Sequence, residues 1–284
     1  MSLQDLLNDI RQKQSTFSAA QKLVASYVLE NYHQIPFLSI SALAENIGVS
    51  DNTVVKFCNQ LGFSRFAAFK KFISDYVSQY TNTDLVISKK LSDSSDDSLF
   101  ALTMEEDISA IRTTLSDSEN QENLTKLLPM MDRAKHIYIT GARSSAIMAE
   151  LFVTALRYLN YKVYELNTGS GDYLDRLSMI ADDDLVIAFS FPRYTSQIVH
   201  GLRDLRQTGV PIVLITDTGL SPAHPYADLA FHCNVSSSYY FPCLSGCLAL
   251  INAICRAAGA SRKQQVSEHI QKLESKLLEQ GVFL

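Results

Sequence analysis

A chain of 284 residues is long enough to form two domains, each burying its own core. Its 46% hydrophobic and 19% charged residues describe an ordinary globular protein, and no apolar run approaches the roughly 20 residues that span a bilayer. The net charge of −5 argues against a uniformly basic nucleic-acid binder. Because no secretory signal is visible and the five cysteines are an odd number, we expect a cytoplasmic protein with reduced thiols and no membrane partner.

The charge is unevenly distributed along the chain. Residues 1–80 contain seven Lys or Arg and six Asp or Glu, a net charge of +1, so the remainder carries a net charge of −6. A nearly neutral segment 1–80 followed by an acidic remainder is compatible with DNA contact through residues 1–80 alone.

Residues 38–61 have the pattern of two short helices joined by a tight turn. Ser41 begins the first helix like a capping residue, Gly48 stands where the chain needs a positive φ, and Ser50 or Asp51 caps the second helix. The second helix has an apolar side with Val54, Cys58 and Leu61, and a polar side with Asn52, Thr53, Lys56 and Asn59. This arrangement is typical of the helix-turn-helix that enters the DNA major groove, although two core helices of a small bundle would also fit.

The segment from Phe17 to Phe72 resembles the N-terminal domain of the RpiR family of bacterial transcription regulators. The resemblance rests on three blocks in order, ASYVLEN, FLSISALAENIGVSDNTVVKFCNQLGF and FAAFK. It implies a helical DNA-binding domain followed by a sugar isomerase-like (SIS) domain. Family members often carry two or three basic residues along the recognition helix, whereas here only Lys56 is basic. We therefore expect weaker and less salt-dependent non-specific DNA binding.

With this resemblance, the N-terminal domain is expected to bind double-stranded operator DNA. The residues expected to face base edges are Asn52, Thr53, Lys56 and Asn59. The candidates for phosphate contacts, which position the protein without specifying sequence, are Ser41, Ser50, Arg65 and Lys70. Because two DNA-binding domains must match the two half-sites of an operator, we expect a symmetric homodimer or homotetramer.

A polar segment separates the two predicted domains. Residues 92–98 are all Ser or Asp, which cannot bury enough surface to offset the entropy of ordering. The last of these residues could also cap a helix that begins near Leu99. The sequence therefore predicts a DNA-binding domain over 1–80, a linker over 81–105 and a second domain over 106–284.

From residue 99 onward, apolar strands alternate with helices, which is typical of a parallel sheet covered on both faces. The predicted elements are a helical region from Leu99 to about Met131, strand His136–Thr140, helix Ala146–Leu159, strand Lys162–Leu166, helix Gly171–Ile180, strand Leu185–Ser190, helix Ser196–Thr208, strands Pro211–Thr216 and Leu229–Cys233, and helices Pro242–Ala258 and Ser261–Glu279. The predicted fold class is an all-α helix-turn-helix domain plus an α/β domain with a flavodoxin-like five-stranded parallel sheet.

Ligands of such sheets bind beyond the carboxyl ends of the strands, where the strand order reverses. In a flavodoxin-like order this point lies between the first and third strands, so the loops 141–145 and 191–196 should meet there. Both loops are rich in hydroxyls, carry one Arg and open a helix, which favours a phosphate site. Plain turns with a capping Ser and an exposed cation are the alternative.

Residues 107–259 resemble the SIS domain. Its first phosphate loop, Gly-x-Gly-x-Ser, is matched at Gly141 and Ser145, with Arg143 in place of the second glycine. The resemblance implies a phosphosugar ligand, and the departure adds a guanidinium group to the loop.

The second SIS loop, Ser-x-Ser-Gly-x-Thr, is matched at Ser190 and Thr195, while Pro192 and Arg193 replace its central Ser and Gly. The resemblance implies that Ser145, Ser190 and Thr195 grip the phosphosugar. The complete predicted effector site is Gly141, Arg143, Ser144, Ser145, Ser190, Arg193, Thr195 and Ser196.

Sugar isomerisation needs a base, commonly a glutamate, and no Glu occurs between Glu165 and Glu268. We therefore predict no catalytic residue, no cofactor and no metal site, since Cys243 and Cys247 lack the further ligands of a zinc site. Asp217 either touches the ligand or forms an Asx turn. The resemblance implies a transcriptional regulator that senses a phosphosugar and controls sugar or amino-sugar metabolism genes. A sugar-phosphate isomerase with a helical appendage and a metabolite-binding adaptor without DNA contact stay open as alternatives.

Overall fold

The computed structural model describes residues 3–81, 96–238 and 241–282. The chain divides into two compact units, Met1–Ser88 and Lys89–Leu284. Within the described ranges, no helix has the length and apolar character needed to cross a membrane. All five cysteines lie in these ranges and none forms a disulfide.

The N-terminal unit is built from helices. They are α1 Leu3–Gln12, α2 Ala19–Asn31, α3 Ile40–Ile47, α4 Asp51–Gln60 and α5 Phe66–Thr81, with short 3-10 segments at Lys13–Thr16 and Tyr32–Phe37. Phe57 of α4 is fully buried and packs its ring against Phe17 at 5.2 Å and against Phe69 at 6.2 Å between centroids. These aromatic contacts hold one face of α4 in the core.

Serine side chains cap three helices of this unit. Ser18, Ser39 and Ser50 accept hydrogen bonds from the first-turn amides of α2, α3 and α4. The prediction that Ser41 caps α3 is wrong, because the helix begins at Ile40 and Ser41 already lies in its first turn. Gly48 ends α3 with φ +76°, as the turn pattern predicts.

The C-terminal unit is an α/β fold, which confirms the predicted fold class. Its helices are α6 Asp96–Ser116, α7 Ser118–Arg133, α8 Ser144–Tyr158, α9 Tyr173–Ser178, α10 Ser196–Arg206, α11 Ser245–Ser261 and α12 Lys263–Glu279, and its strands are β1 Ile137–Gly141, β2 Val163–Asn167, β3 Leu185–Ser190, β4 Ile212–Thr216 and β5 Leu229–His232. All strand pairs are parallel, in the order β2-β1-β3-β4-β5.

Helices cover both faces of the sheet. One core cluster joins the sheet to α7, α8 and α11, and a second joins the opposite face to α9 and α10. Every residue of β3 and β4 is buried, since these central strands have neighbours on both sides and helices on both faces.

Helix α7 also protects the edge of the sheet at β5. The Asn120 side chain donates to the His232 carbonyl at 2.7 Å and accepts from the His232 amide at 2.8 Å. Asn123 donates to the Ala230 carbonyl at 2.7 Å. These amides occupy backbone groups that could otherwise pair with another strand.

The helical region predicted from Leu99 to about Met131 is two helices rather than one. Asp117 interrupts it with extended backbone, and its side chain accepts from the Glu119 amide at 2.9 Å as the cap of α7. Because α6 begins at Asp96, residues 96–105 of the predicted linker are helical. The preceding residues 82–95 lie outside the described part of the chain.

Candidate functional site

Helix α4 presents a polar face to solvent. Asn52, Lys56 and Asn59 are exposed and are spaced four and three residues apart, so they lie on one side of the helix. Thr53 is half-buried beside them. The opposite side is buried at Val54, Phe57, Cys58 and Leu61. The face available to a partner is thus the one that the polar pattern predicts.

Two of the predicted phosphate-contact serines also organise the helix-turn-helix. Ser41 Oγ donates to Asp51 Oδ2 at 2.7 Å, which joins α3 to the first turn of α4. The Ser50 hydroxyl lies 3.3 Å from the Thr53 amide that it caps and 2.9 Å from Thr53 Oγ1. These bonds fix the angle at which α4 leaves the turn.

The two predicted phosphate-contact cations differ in their surroundings. Lys70 of α5 donates to the Leu38 carbonyl at 2.9 Å and is half-buried, so it ties α5 to the segment before α3. Arg65 is exposed immediately before α5 begins. Of the two, Arg65 has the greater freedom to reach a phosphate.

A pocket lies at the point where the strand order reverses, between β1 and β3. Gly141 at the end of β1 is the register partner of Phe189 on β3, so the loops after these strands lie side by side. A space of about 320 Å³, which includes open solvent, lies between these loops. The lining residues are Ala142, Arg143, Ser144, Ser145, Phe189, Ser190, Phe191, Pro192, Arg193 and Thr195.

Two predicted effector residues are not in the pocket lining. Position 141 requires glycine, because a Cβ there would lie 2.6 Å from the backbone carbonyl oxygen of Ser145. It allows α8 to begin directly against the end of β1. Ser196 is the exposed first residue of α10 and lies outside the lining.

The two helices that begin at the pocket have no side-chain caps. Arg143 precedes α8 and Thr195 precedes α10, and neither side chain accepts a hydrogen bond from the first turn. The first amides of a helix lack the usual partners four residues earlier in the helix, and its N-terminus carries a partial positive charge. At the start of α8 the Ser145 and Ala146 amides donate instead to the Ala142 and Arg143 carbonyls, both at 3.1 Å. Two such ends at one pocket form an environment suited to an anion.

The two arginines of the pocket occupy backbone positions that favour glycine. Arg143 has φ +57° and Arg193 has φ +64°. Both replace a glycine of the SIS loop patterns, so the loops keep the glycine-like backbone while carrying guanidinium groups. A non-glycine residue in such a conformation costs about 1–3 kcal/mol, and strain of this kind concentrates at ligand sites.

The hydroxyl of Ser190 is buried at the floor of the pocket. Ser190 is only 3% exposed, and its Oγ forms no hydrogen bond with any residue that the structure describes. Buried polar atoms in folded proteins are nearly always paired, with protein groups, water or a ligand, so this hydroxyl is available to a molecule that enters the pocket. Ser145, across the pocket, is also buried.

Asp217 follows β4 directly and is hydrogen-bonded to the pocket loop that follows β3, residues 191–195. Tyr194 Oη donates to Asp217 Oδ1 at 2.8 Å, and Thr216 Oγ1 lies 3.2 Å from the same oxygen. Burial raises the pKa of Asp217 to about 6, although the bond from Tyr194 opposes this shift. The sequence leaves two roles open for Asp217 and gives no signal for Tyr194, because their bond joins residues 23 positions apart in the chain.

A small cluster that could ligate a metal is formed by Asp117, Glu119 and His232, whose donor atoms lie within 4.8 Å of one another. His232 Nδ1 is 3.3 Å from Asp117 Oδ2, and Asp117 already caps α7. Glu119 is exposed. A helix cap and a histidine–carboxylate contact account for this grouping.

Two family models match the chain. Residues 4–80 match the helix-turn-helix domain of the rpiR family, and residues 130–255 match the SIS domain. The chain belongs to the RpiR family. It is a helix-turn-helix transcriptional regulator that carries a SIS domain.

Relatives of this RpiR-family chain agree with that assignment. A protein of Haemophilus influenzae, named as an uncharacterized HTH-type transcriptional regulator, is 24% identical over 225 residues, which cover 79% of this chain and 78% of the relative. The sugar isomerase domain of the RpiR transcription factor from Sphaerobacter thermophilus superposes with a TM-score of 0.60 at 21% identity, covering 62% of this chain and 98% of that one. The Vibrio vulnificus NanR protein, complexed with ManNAc-6P, has a TM-score of 0.58 at 19% identity and covers 96% of this chain and 98% of its own. These two structures establish the shared fold.

Proposed function

We propose that this regulator senses a phosphosugar in the pocket between β1 and β3 and thereby controls how α4 engages operator DNA. The regulated genes would serve sugar or amino-sugar metabolism, and the protein would act in the cytoplasm as a homodimer or homotetramer. The observation that carries the proposal is the pairing of two uncapped helix N-termini with the buried, unbonded Ser190 hydroxyl.

The chemistry of the pocket favours a phosphate group. Free amides and hydroxyls donate hydrogen bonds to phosphate oxygens, and a guanidinium adds planar bidentate donors. Arg143 and Arg193 carry the positive charge, and both are exposed where a ligand would enter. The ManNAc-6P bound by the Vibrio neighbour supports a phosphorylated sugar as the ligand class.

The exposed face of α4 supports reading of base edges. Asparagine side chains match adenine and lysine matches guanine in the major groove, and each good contact discriminates by about 1–3 kcal/mol. Asn52, Lys56 and Asn59 present these groups on one side of the helix. With Lys56 as the single basic residue of α4, contacts to phosphates would come mainly from groups outside this helix, such as the exposed Arg65.

The ligand can regulate DNA binding only through a difference in affinity between two arrangements of the protein. The loop 191–195 is a suitable element, since Tyr194 links it to the end of β4 through Asp217. A phosphosugar that binds one position of this loop more tightly would shift the population toward that arrangement.

The pocket favours sensing over catalysis. None of its described lining residues is an Asp, Glu or His that could move a proton between sugar carbons. The buried carboxylate of Asp217 accepts the Tyr194 hydroxyl instead. Aldose–ketose phosphate turnover that disappears in Asp217→Asn would favour the isomerase alternative over the regulator without enzymatic activity.

Ligand binding is tested by thermal unfolding of the full chain with ManNAc-6P, the same sugar without its phosphate, or inorganic phosphate. A sensed phosphosugar at 100 times its dissociation constant should add about 2.7 kcal/mol of stability. Arg143→Ala should weaken this effect, whereas Arg157→Ala, at the exposed far end of the same helix, should not. Equal effects of the sugar with and without phosphate would contradict the proposal.

DNA reading is tested by selecting duplexes from a random pool with the full chain. Lys56→Ala should reduce affinity for the selected sites about 5- to 150-fold. The matched control is Lys71→Ala, which removes the same charge from an exposed position on α5. If both variants bind the selected sites equally well, α4 does not read base edges.

A further inference from the structure

Helix α6 turns its largest apolar side chains toward solvent. The five residues, here called the α6 stripe, are 73%, 47%, 38%, 40% and 82% exposed, in the order Phe100, Met104, Ile108, Ile111 and Leu115. A surface helix of a monomeric protein normally directs its apolar stripe to the core. The exposure of this stripe therefore requires an explanation.

The opposite side of α6 fixes its orientation. Ala110 and Thr114 are buried against α11, where a Cβ on Gly246 would lie 2.6 Å from Thr114 Oγ1. Asp107 accepts a hydrogen bond from Ser245 Oγ at 2.7 Å at the start of α11. Because small and polar residues make these close contacts, the helix cannot rotate to bury its stripe without losing them.

The spacing of the stripe is that of a helix–helix seam. Its members follow one another by four, four, three and four residues, which places them within about 80° of arc on an α-helix. Leu102 is 54% exposed but lies outside this arc, on another side of the helix. The stripe is thus a continuous line of about four turns without a charged side chain.

The size of the stripe suits a dimer contact. From the exposed fractions, the five side chains offer on the order of 500 Å² of apolar surface. Two such stripes facing each other would bury on the order of 1,000 Å², the area at which an interface between proteins becomes specific. Contiguous apolar surface of this size commonly marks an interaction site.

We propose that the α6 stripe pairs with the α6 stripe of a second copy of this chain, with the two helices antiparallel across a twofold axis. The inference deepens the proposed function, since it rests on a regulator with paired DNA-binding heads and names the surface that pairs them. A twofold contact requires a self-complementary surface, and a charge-free stripe meets that requirement.

Charges at the edge of the stripe select the antiparallel arrangement. Glu105 and Arg112 are exposed on the same flank, and neither forms an ion pair with another described residue. In an antiparallel pair centred near Ile108, Glu105 of each copy lies beside Arg112 of the other. A parallel pair would instead bring like residues level with each other and lose this complementarity.

The interface is tested by the mass of the full chain in sedimentation equilibrium. Met104→Glu places a charge within the stripe and should raise the dissociation constant of the dimer at least 10-fold, which lowers the average mass at concentrations near that constant. Leu102→Glu adds the same charge two residues away, outside the stripe, and should leave the mass unchanged. Equal masses for both variants, or a native chain that is monomeric, would overturn the proposal.

The charged pair gives a second test that does not depend on the apolar residues. Arg112→Glu should weaken association, and the double variant Glu105→Arg with Arg112→Glu should restore it. A double variant as weak as Arg112→Glu would rule out the antiparallel arrangement. Both residues are exposed, so the fold, followed by circular dichroism, should be unaffected.

The same variants separate this inference from the proposed sensing function. Stabilisation of Met104→Glu by ManNAc-6P together with loss of the native mass supports both proposals. Stabilisation with an unchanged mass overturns only the interface. Loss of native mass in Met104→Glu, with no stabilisation of either native chain or variant by any phosphosugar, supports the interface and overturns only the sensing function.

Discussion

Helix N-termini are capped in the N-terminal unit but not at the pocket of the C-terminal unit. In the N-terminal unit, serine hydroxyls cap α2, α3 and α4. At the pocket of the C-terminal unit, α8 and α10 begin without caps, Ser190 keeps an unbonded hydroxyl among the described residues, and two arginines hold a strained backbone. Capping satisfies first-turn amides within the N-terminal unit, whereas the pocket leaves donors available to a ligand at a cost in stability.

The largest expected effect concerns the buried carboxylate behind the pocket. Burial raises the pKa of Asp217 from 3.8 to about 6, so between about pH 4 and pH 6 the unfolded chain releases a proton that the folded chain retains. The stability of the folded state should therefore fall as the pH rises through this window, by on the order of 3 kcal/mol, and level off above it.

Asp217→Asn should remove this part of the pH dependence, since an amide oxygen can still accept the Tyr194 hydroxyl. Calorimetric unfolding of both proteins at pH 4 and pH 7 measures the difference. Parallel pH profiles for the native chain and the variant would show that Asp217 is not the group responsible.

The next effect follows from adding a cap where the pocket has none. Thr195→Asp supplies a carboxylate to the first amides of α10 and should stabilise the free protein by about 0.3–1 kcal/mol. The same carboxylate would repel a phosphate, so the stabilisation of about 2.7 kcal/mol by ManNAc-6P at 100 times its dissociation constant should disappear.

The control for this experiment is Thr154→Asp, which adds the same charge at an exposed position within α8. It should keep the response to ManNAc-6P. Thermal unfolding with and without ligand checks both variants, and an undiminished ligand response in Thr195→Asp would mean that α10 does not face the phosphate.

A smaller effect is expected from relieving backbone strain. Arg193→Gly should stabilise the free protein by about 1 kcal/mol, because glycine adopts φ +64° readily, while weakening ManNAc-6P binding. Arg157→Gly, in the last turn of α8, should destabilise by about 1 kcal/mol and leave binding unchanged. Calorimetry compares the two, and a loss of stability in both would contradict the assignment of strain to the loop.

The smallest effect compares a capping and a non-capping residue directly. Ser39→Ala should destabilise the N-terminal unit by about 0.5–1 kcal/mol, because the Ala42 amide loses its partner. Thr195→Ala should leave the stability of the free protein nearly unchanged, since Thr195 makes no capping bond. Urea unfolding measures the loss of stability in each variant. Equal losses would mean that capping differs little between the N-terminal unit and the pocket.

Local patterns account for much of what could be predicted. The predicted strand Leu185–Ser190 matches β3, because a fully buried parallel strand is a continuous apolar run. The polar face of α4 and the turn at Gly48 follow equally from helical spacing and from the conformational freedom of glycine. Capping is harder to predict, since Ser39 and Ser41 are both suitable and only the first residue of the helix distinguishes them.

The sequence alone determined the two fold classes, the face of α4 and the meeting of two hydroxyl-rich loops at the reversal of strand order, because these depend on spacing between near neighbours. The tertiary structure alone decided which side of α6 stays exposed, that Tyr194 bonds to Asp217, and that Ser190 is buried without a described partner. These features depend on contacts between residues distant in the chain, and no local pattern specifies which distant groups will meet.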